Sequence, residues 1–214
     1  EIDLSIASMI ALTAVIFGTV YNAGFGMLFS VLIGVLSGAL CGLFNGILVT
    51  KLKIPSIILT IGTLTLYRGI AQALASDFSL GGYPSWFIGI DYRYVSIIPI
   101  PVIIFTVFAL IVGFLLSSTI YGKQLYLIGT NPQTAKYSGI KVDKIKLLLF
   151  TFSGVISGVA GVLTTSRLAV ARFNMATGAE LEIVLMVMLG GTYIFVGRGN
   201  IFGTFVAFWI VVIL

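Results

Sequence analysis

The chain has no histidine, and it has a single cysteine, Cys41, among 214 residues. Without histidine, the side chain most often used to move protons near neutral pH and to ligate metals is missing, so acid–base and metal sites are disfavoured. Cys41 lies within an apolar run with no second cysteine, which excludes an internal disulfide and any paired-cysteine zinc site. The sequence also lacks paired carboxylates and a phosphate cradle of the Gly-x-x-x-x-Gly-Lys-Ser/Thr kind; Gly122-Lys123 is followed by Gln124 and has no upstream glycine at that spacing. Intramembrane enzyme chemistry is therefore disfavoured, and neither metal nor cofactor is expected. Uphill transport by such a chain requires an ion gradient or an energised partner.

Charge is equally scarce. Only 9% of residues are charged, with 12 Lys and Arg against 7 Asp and Glu, for a net charge of +5. Seven of the basic residues are lysines confined to two short stretches, Lys51/Lys53 and Lys123, Lys136, Lys141, Lys144 and Lys146. Lysines beside apolar runs mark cytoplasmic loops of membrane proteins, so no nucleic-acid partner is expected. Hydrophobic residues make up 59% of the chain, and the mean hydropathy is +1.17. A soluble domain of this size needs more polar surface, so the solvent is lipid and the fold class is an all-α polytopic transmembrane helix bundle.

No formal charge lies between Asp3 and Lys51. As one helix that run would extend about 70 Å, against a hydrocarbon core about 30 Å thick, so it must turn once. Tyr21-Asn22-Ala23-Gly24 is the suitable break, giving spans near 4–20 and 25–49. A third span runs from Pro55 to about Ala75, with Arg68 toward its far end, where it is expected to snorkel to the interface. Ser76–Ser96 is polar and aromatic, 98–117 is an uncharged span, and Tyr121–Lys146 is a basic island. Leu147–Ser166 is a further span and Arg167–Ala179 a polar turn. Glu180–Val196 is an apolar segment, Gly197–Asn200 a glycine turn and Ile201–Leu214 the start of another helix. The last two segments read equally as full spans or as a re-entrant pair. The missing initiator Met and the last helix, which stops inside an apolar run, suggest an internal fragment lacking spans at both ends.

Loop charges set the orientation. Lys51 and Lys53 give +2, and the island's five lysines less Asp143 give +4; on the opposite side, Arg93 less Asp77 and Asp91 gives −1. The lysine side is the cytoplasmic one. Within the second span Gly34, Gly38, Gly42 and Gly46 recur every fourth residue, and Gly154 and Gly158 repeat the device after the island. Such stripes let helix backbones approach closely in lipid.

The polar residues within the spans are few. Asp3 reads as an N-terminal cap of the first span. The alternative is that the helix breaks there and exposes Asp3 and Ser5 to a transport path, with Asn45 either bridging helices or lining the same path. In the island, Asn131 is a cap with Pro132 at the first helical position, and Gln133–Tyr137 continues until Ser138-Gly139 stops it. This short cytoplasmic helix is shaped for a groove on a partner.

Several motifs now converge. Tyr121-Gly122-Lys123, Ile128-Gly129-Thr130-Asn131, Ala135, Ser138-Gly139-Ile140 and Lys146 resemble the coupling region of permease subunits in bacterial ABC importers of ribose, rhamnose, related sugars and autoinducer-2. Ile2-Asp3-Leu4-Ser5, Phe44-Asn45-Gly46, Lys53-Ile54-Pro55, Gly62-Thr63-Leu64, Tyr67-Arg68-Gly69, Leu189-Gly190-Gly191-Thr192 and Gly197-Arg198-Gly199 extend the resemblance over nearly the whole chain, most closely to the autoinducer-2 and rhamnose branch. Two departures are Ile6-Ala7-Ser8, where Val-Gly-Ser is usual, and Phe195-Val196, where a small residue is common.

The resemblance implies one transmembrane permease domain over 1–214. Its ATPase-coupling residues would be Gly129, Asn131, Pro132, Ala135, Lys136, Ser138, Gly139, Ile140 and Lys141. It further implies separate cytoplasmic ABC ATPase subunits, a second permease subunit of the same or a different kind, and a periplasmic or lipid-anchored substrate-binding protein. The setting would be the bacterial inner membrane. An ion-coupled secondary transporter and a non-transporting membrane scaffold or receptor are the competing readings. The first should bury several acids, and only Asp3, Glu180 and Glu182 qualify, all at helix starts.

Overall fold

Water is absent from hydrocarbon, so each span must satisfy its backbone internally, and helices dominate the chain. The computed structural model describes residues 1–90, 93–193, 197 and 199–213. These form two compact units, Glu1–Ile100 with Lys146–Glu180 and Pro101–Ile145 with Leu181–Leu214.

The first unit is built around α1 (Ile6–Asn22). Nearly all of α1 from Ala7 to Gly18 is buried, as expected of a helix apolar all round. Its hydroxyls bond back to the helix, Ser8 to the Ser5 carbonyl and Thr13 to the Ile10 carbonyl, so they add no unmet polarity to the core. Around it stand α2 (Met27–Lys51), α3 (Ser56–Ala75) and most of α8 (Val142–Leu168). Together with α5 (Ile100–Ser118), these three are long and apolar enough to cross a membrane.

Glycine decides how α2 meets α8. A Cβ on Gly38 or Gly42 would collide with the Gly154 or Phe150 carbonyl oxygen, and one on Gly158 would lie 2.8 Å from the Val35 Cα. Partners step backwards along α8 as α2 advances, so the two helices run antiparallel at backbone contact. Gly34 meets Phe17 of α1 at 3.0 Å, and Gly46 meets Leu147 at 2.9 Å. The opposite face of α2 carries Leu28, Leu32, Leu36, Leu40 and Phe44, all exposed. Small residues inward and large apolar ones outward is the pattern of a helix solvated by lipid.

One end of the unit is closed by the loops after α3 and α8. Leu80 and Ala171 exchange backbone hydrogen bonds of 3.0 and 2.8 Å. Tyr83 and Phe87, the latter in the short α4 (Ser85–Ile88), stack on Phe17 at ring separations of 5.3 and 5.4 Å. Part of the aromatic stretch expected at an interface is thus packing material. Arg68 does not snorkel free: its Nη1 donates to the Phe173 and Met175 carbonyls, both at 2.8 Å, and ties α3 to the 167–179 turn. The other end carries Lys51 and Lys53, and Lys146 pairs with Glu1. A small hairpin, β1 (Tyr94–Val95) with β2 (Ile98–Pro99), leads into α5.

In the second unit α6 (Ile120–Thr130) folds back directly after α5, its first turn capped by Thr119, whose Oγ1 accepts from the Gly122 amide at 3.2 Å. The sequence reading has only one short helix in the island, so α6 is an addition to it. α7 (Pro132–Tyr137) follows. α9 (Ala179–Leu189) ends sooner than the apolar segment 180–196 suggests. Gly191, at φ +82, takes the left-handed position; its amide bonds the Met188 carbonyl, and the Thr192 amide bonds that of Val187. Eleven residues reach only about 16 Å. α10 (Ile201–Ile213) runs antiparallel to α5, with Phe105 against Phe205 at 5.5 Å and Phe208 at 4.2 Å, and Gly113 near Ile201. Asp91, Tyr92, Ile194, Phe195, Val196, Arg198 and Leu214 lie outside the described residues, and with them the Phe195-Val196 departure.

The glycine contacts make a direct prediction. Gly42→Ala, which drives a methyl into backbone, should lower stability by about 1–3 kcal/mol, whereas Gly62→Ala, with nothing within 4 Å, should not. Thermal unfolding of the detergent-solubilised protein compares them, and equal midpoints would refute backbone contact at Gly42.

Candidate functional site

Two groups of sequence-selected residues are brought together, one in each unit. The first is the island. A six-residue helix is far too short to be stable alone, yet α7 is fixed at both ends. Asn131 at its start accepts the Gln133 and Thr134 amides on Oδ1 at 3.0 and 3.1 Å, and Pro132 occupies the first helical position, where no amide partner is needed. At its end Gly139 adopts φ +82, its amide bonds the Lys136 carbonyl at 3.1 Å, and the Ile140 amide reaches back to the Ala135 carbonyl at 3.1 Å. These are the two bonds of a Schellman closure, accompanied by its usual apolar contact between Ile140 and Ala135.

Underneath, Ala135 is buried with Ile128 of α6 and Val142 at the start of α8, and Ile145 packs alongside. α7 is therefore seated on both neighbouring helices. Above that small core everything is exposed: Lys136, Tyr137, Ser138, Lys141 and Lys144, with Tyr137 90% accessible. Asp143 in the first turn of α8 suits the positive end of that helix and leaves the lysines without a neutralising majority. A recess lined by Lys136, Ile140, Lys141, Val142, Asp143 and Lys144 opens beside the helix. Gly129 lies on α6 just before the cap, against Gly197.

The second group is a hydrogen-bond chain at the basic end of the first unit. The Tyr67 hydroxyl donates to Asn45 Oδ1 at 2.8 Å, Asn45 Nδ2 donates to Ser5 Oγ at 2.9 Å, and Ser5 Oγ donates to Asp3 Oδ1 at 2.6 Å. Every donor points toward the carboxylate, an arrangement in which each bond polarises the next. The chain joins α3, α2 and the entry to α1. Ser5 and Asn45 are both 0% exposed, so their polarity is spent on each other.

The capping expected of Asp3 takes a different form. Asp3 accepts from the Ser5 amide at 2.9 Å, two residues on, and Ser5 itself occupies the cap position without a side-chain cap bond. Asp3 Oδ2 is buried with no hydrogen-bond partner. Burial pushes the Asp3 carboxyl above its ordinary value, and the bonds from Ser5 pull part of the way back. Tyr67 stands in the sequence only as part of the Tyr67-Arg68-Gly69 motif; its bond to Asn45, 22 residues away, leaves no signal in the spacing. No cluster able to hold a metal occurs among the described residues.

Long apolar helices that turn large side chains outward, with most lysines confined to the segments between them, define an integral membrane protein. The chain belongs to the branched-chain amino acid transport system / permease component family, whose profile matches residues 1–214. It is 35% identical over 208 residues to the autoinducer 2 import system permease protein LsrC of Yersinia enterocolitica, covering 95% of this chain and 56% of that one. To LsrC of Yersinia pseudotuberculosis serotype O:1b it is 34% identical over 204 residues, covering 95% and 58%. The chain thus spans just over half the length of these relatives. No solved structure matches it.

Two predictions concern the buried chain. Asn45→Ala removes the bonds to both Ser5 and Tyr67, although Tyr67 keeps the Cys41 carbonyl and Ser5 keeps Asp3; it should cost about 2 kcal/mol, against about 1 kcal/mol for Tyr67→Phe, measured by thermal unfolding. A folded-state carboxyl held above its ordinary value of 3.8 binds its proton more tightly than in the unfolded chain, so stability is greatest below that value and falls as pH rises through the raised one. Asp3→Asn should flatten this acid-range slope in melting temperature; an unchanged slope would assign it to another group.

Proposed function

We propose that the protein is a membrane-spanning permease subunit of an ATP-driven ABC importer that moves a sugar or sugar-like small molecule into the cytoplasm. The observation that carries this reading is α7: a short helix, locked at both ends and seated on its neighbours, that offers an exposed aromatic and Lys136 to the outside, with Lys141 and Lys144 exposed just beyond it. A solvated loop has no need of such order, whereas a docking element has to keep its shape before its partner arrives. Gly129, Asn131, Pro132, Ala135, Ser138, Gly139 and Ile140 build and seat the element. Lys136 and Lys141 lie on its open rim, so the complementary face on the ATPase should carry acids around an apolar socket for Tyr137.

In this reading the island faces the cytoplasm of a bacterium's inner membrane, as its excess of lysines favours. Two ATPase subunits close on ATP and displace α7, and the helices joined to it move as rigid bodies. A second permease subunit completes the pathway, and a periplasmic or lipid-anchored binding protein delivers the solute. The relatives' printed names make autoinducer 2 the leading cargo. Chemistry is left to partners: the chain is a transport component, not an enzyme. Ser5 and Asn45 are engaged with each other, so a pathway role within that trio falls to Asp3 and its unengaged oxygen.

Vesicles containing the full-length permease with its ATPase and binding protein test the reading. Labelled solute should enter only with ATP; uptake driven by an ion gradient alone would replace the proposal with a secondary transporter. Deleting residues 131–137, or replacing Gly139 at its positive φ by Val, should abolish co-purification of the ATPase while leaving membrane insertion intact. Retention of the ATPase by both variants would exclude docking at α7.

A further inference from the structure

The second unit brings Gly197 and Gly199, which lie between α9 and α10, to the island. A Cβ on Gly129 of α6 would sit 2.6 Å from the Gly197 Cα, and a Cβ on Gly197 would strike the Gly129 backbone at three atoms. Gly197 also adopts φ +60, where a side chain is strained. Beside this contact the Tyr126 hydroxyl donates to the Gly199 carbonyl at 3.1 Å. Asn131, the cap of α7, lies two residues after Gly129, and α10 begins at Ile201, two residues after Gly199. One backbone contact therefore stands between the docking helix and a helix more than sixty residues later in the chain, as the numbering 131 and 201 shows.

We propose that the Gly129–Gly197 contact, latched by Tyr126 on the Gly199 carbonyl, is a second transmission joint that passes displacement of α7 to α10. The inference rests on the ATPase-docking reading of α7. Its physical basis is stiffness. Two backbones in contact have no flexible side chain between them, and repulsion rises steeply on compression, so a push at one side is delivered at the other. Covalent connection already links α7 to α5 through α6 and to α8; the joint adds α10, which has no covalent neighbour in the island. α10 is in turn packed on α5 through Phe105, Phe205 and Phe208. Displacement entering at α7 thus reaches both members of that antiparallel pair at once. Tyr126 and Gly197 are positioning residues in this account, since neither touches solute or nucleotide.

The test uses the full-length importer in vesicles with its ATPase, in a Cys41→Ser background carrying an environment-sensitive fluorophore at Phe202→Cys, an exposed site at the start of α10. With the joint intact, ATP should change the fluorescence. Gly197→Ala should keep the ATPase on co-purification and keep ATP hydrolysis, yet lose the fluorescence change and lower solute uptake per ATP hydrolysed by about tenfold. Tyr126→Phe removes only a half-exposed hydroxyl, so folding is not at stake, and it should lower the same ratio by a smaller factor. Unchanged uptake per ATP and an unchanged fluorescence response in both variants would overturn the joint. Loss of the ATPase from Gly197→Ala alone would also overturn it, making the contact a support for docking. An ATP-insensitive fluorophore and ATP-independent uptake in the unaltered protein would instead overturn the docking reading beneath it.

Discussion

Helices in lipid gain nothing by hiding apolar side chains from solvent that is itself apolar, so what remains is the closeness of backbones. The contact of α2 with α8 through Gly38, Gly42, Gly154 and Gly158 is therefore the constraint on which the first unit depends. A gap of about 0.5–1 Å already forfeits a quarter to a half of a dispersion contact, and residues without a side chain let two helix backbones come near enough to collect such contacts along a whole face. Once those two are fixed, α1 is held against Gly34 of α2, which meets its Phe17, and Gly161 of α8, which meets its Ile10 and Thr13. The large side chains of α2 are left pointing outward because the inner face has no room for them.

The same economy governs polarity. A polar group in this interior is tolerated when its bonds are made locally, as with the hydroxyls of Ser8 and Thr13, or when it finishes a chain between helices, as with Tyr67, Asn45 and Ser5. Arg68 obeys the rule by bonding the Phe173 and Met175 carbonyls of the 167–179 turn. Helix ends are treated likewise. α7 and α9 close with the same pair of reverse bonds around a left-handed glycine, Gly139 and Gly191, which satisfies carbonyls that would otherwise be orphaned.

Much of this was legible in the sequence, for reasons that can be assigned. The long spans announce themselves because uncharged runs of fixed length have no other use in lipid, and the cap and stop of α7 are written in adjacent residues, Asn131-Pro132 and Ser138-Gly139. α6 was not read, although Thr119 offered a cap; Gly122 and Gly129 look like breaks, and only contact with neighbouring backbone explains why glycine stands at both. The early end of α9 was hidden because Gly190-Gly191 interrupts an apolar run that hydropathy alone continues. The role of Tyr67 and the meeting of Gly129 with Gly197 depend on residues distant in the chain, and a single sequence records no trace of such pairs.

These features bear on how helices in such a bundle are joined. Moving parts in a bundle of this kind have to be rigid internally and connected at few places, because a soft connection dissipates displacement in side-chain rearrangement. The chain meets both needs with one residue type. Glycine with α-helical dihedrals, as at Gly38 and Gly154, welds helices along their length; glycine at positive φ, as at Gly139 and Gly191, turns the backbone sharply and ends a helix where it must. A methyl group added in the first setting separates two helices, while in the second it unmakes a corner. The distinction follows from backbone geometry, not composition, and it explains why 25 glycines coexist with long, well-formed helices despite the poor intrinsic helix propensity of that residue.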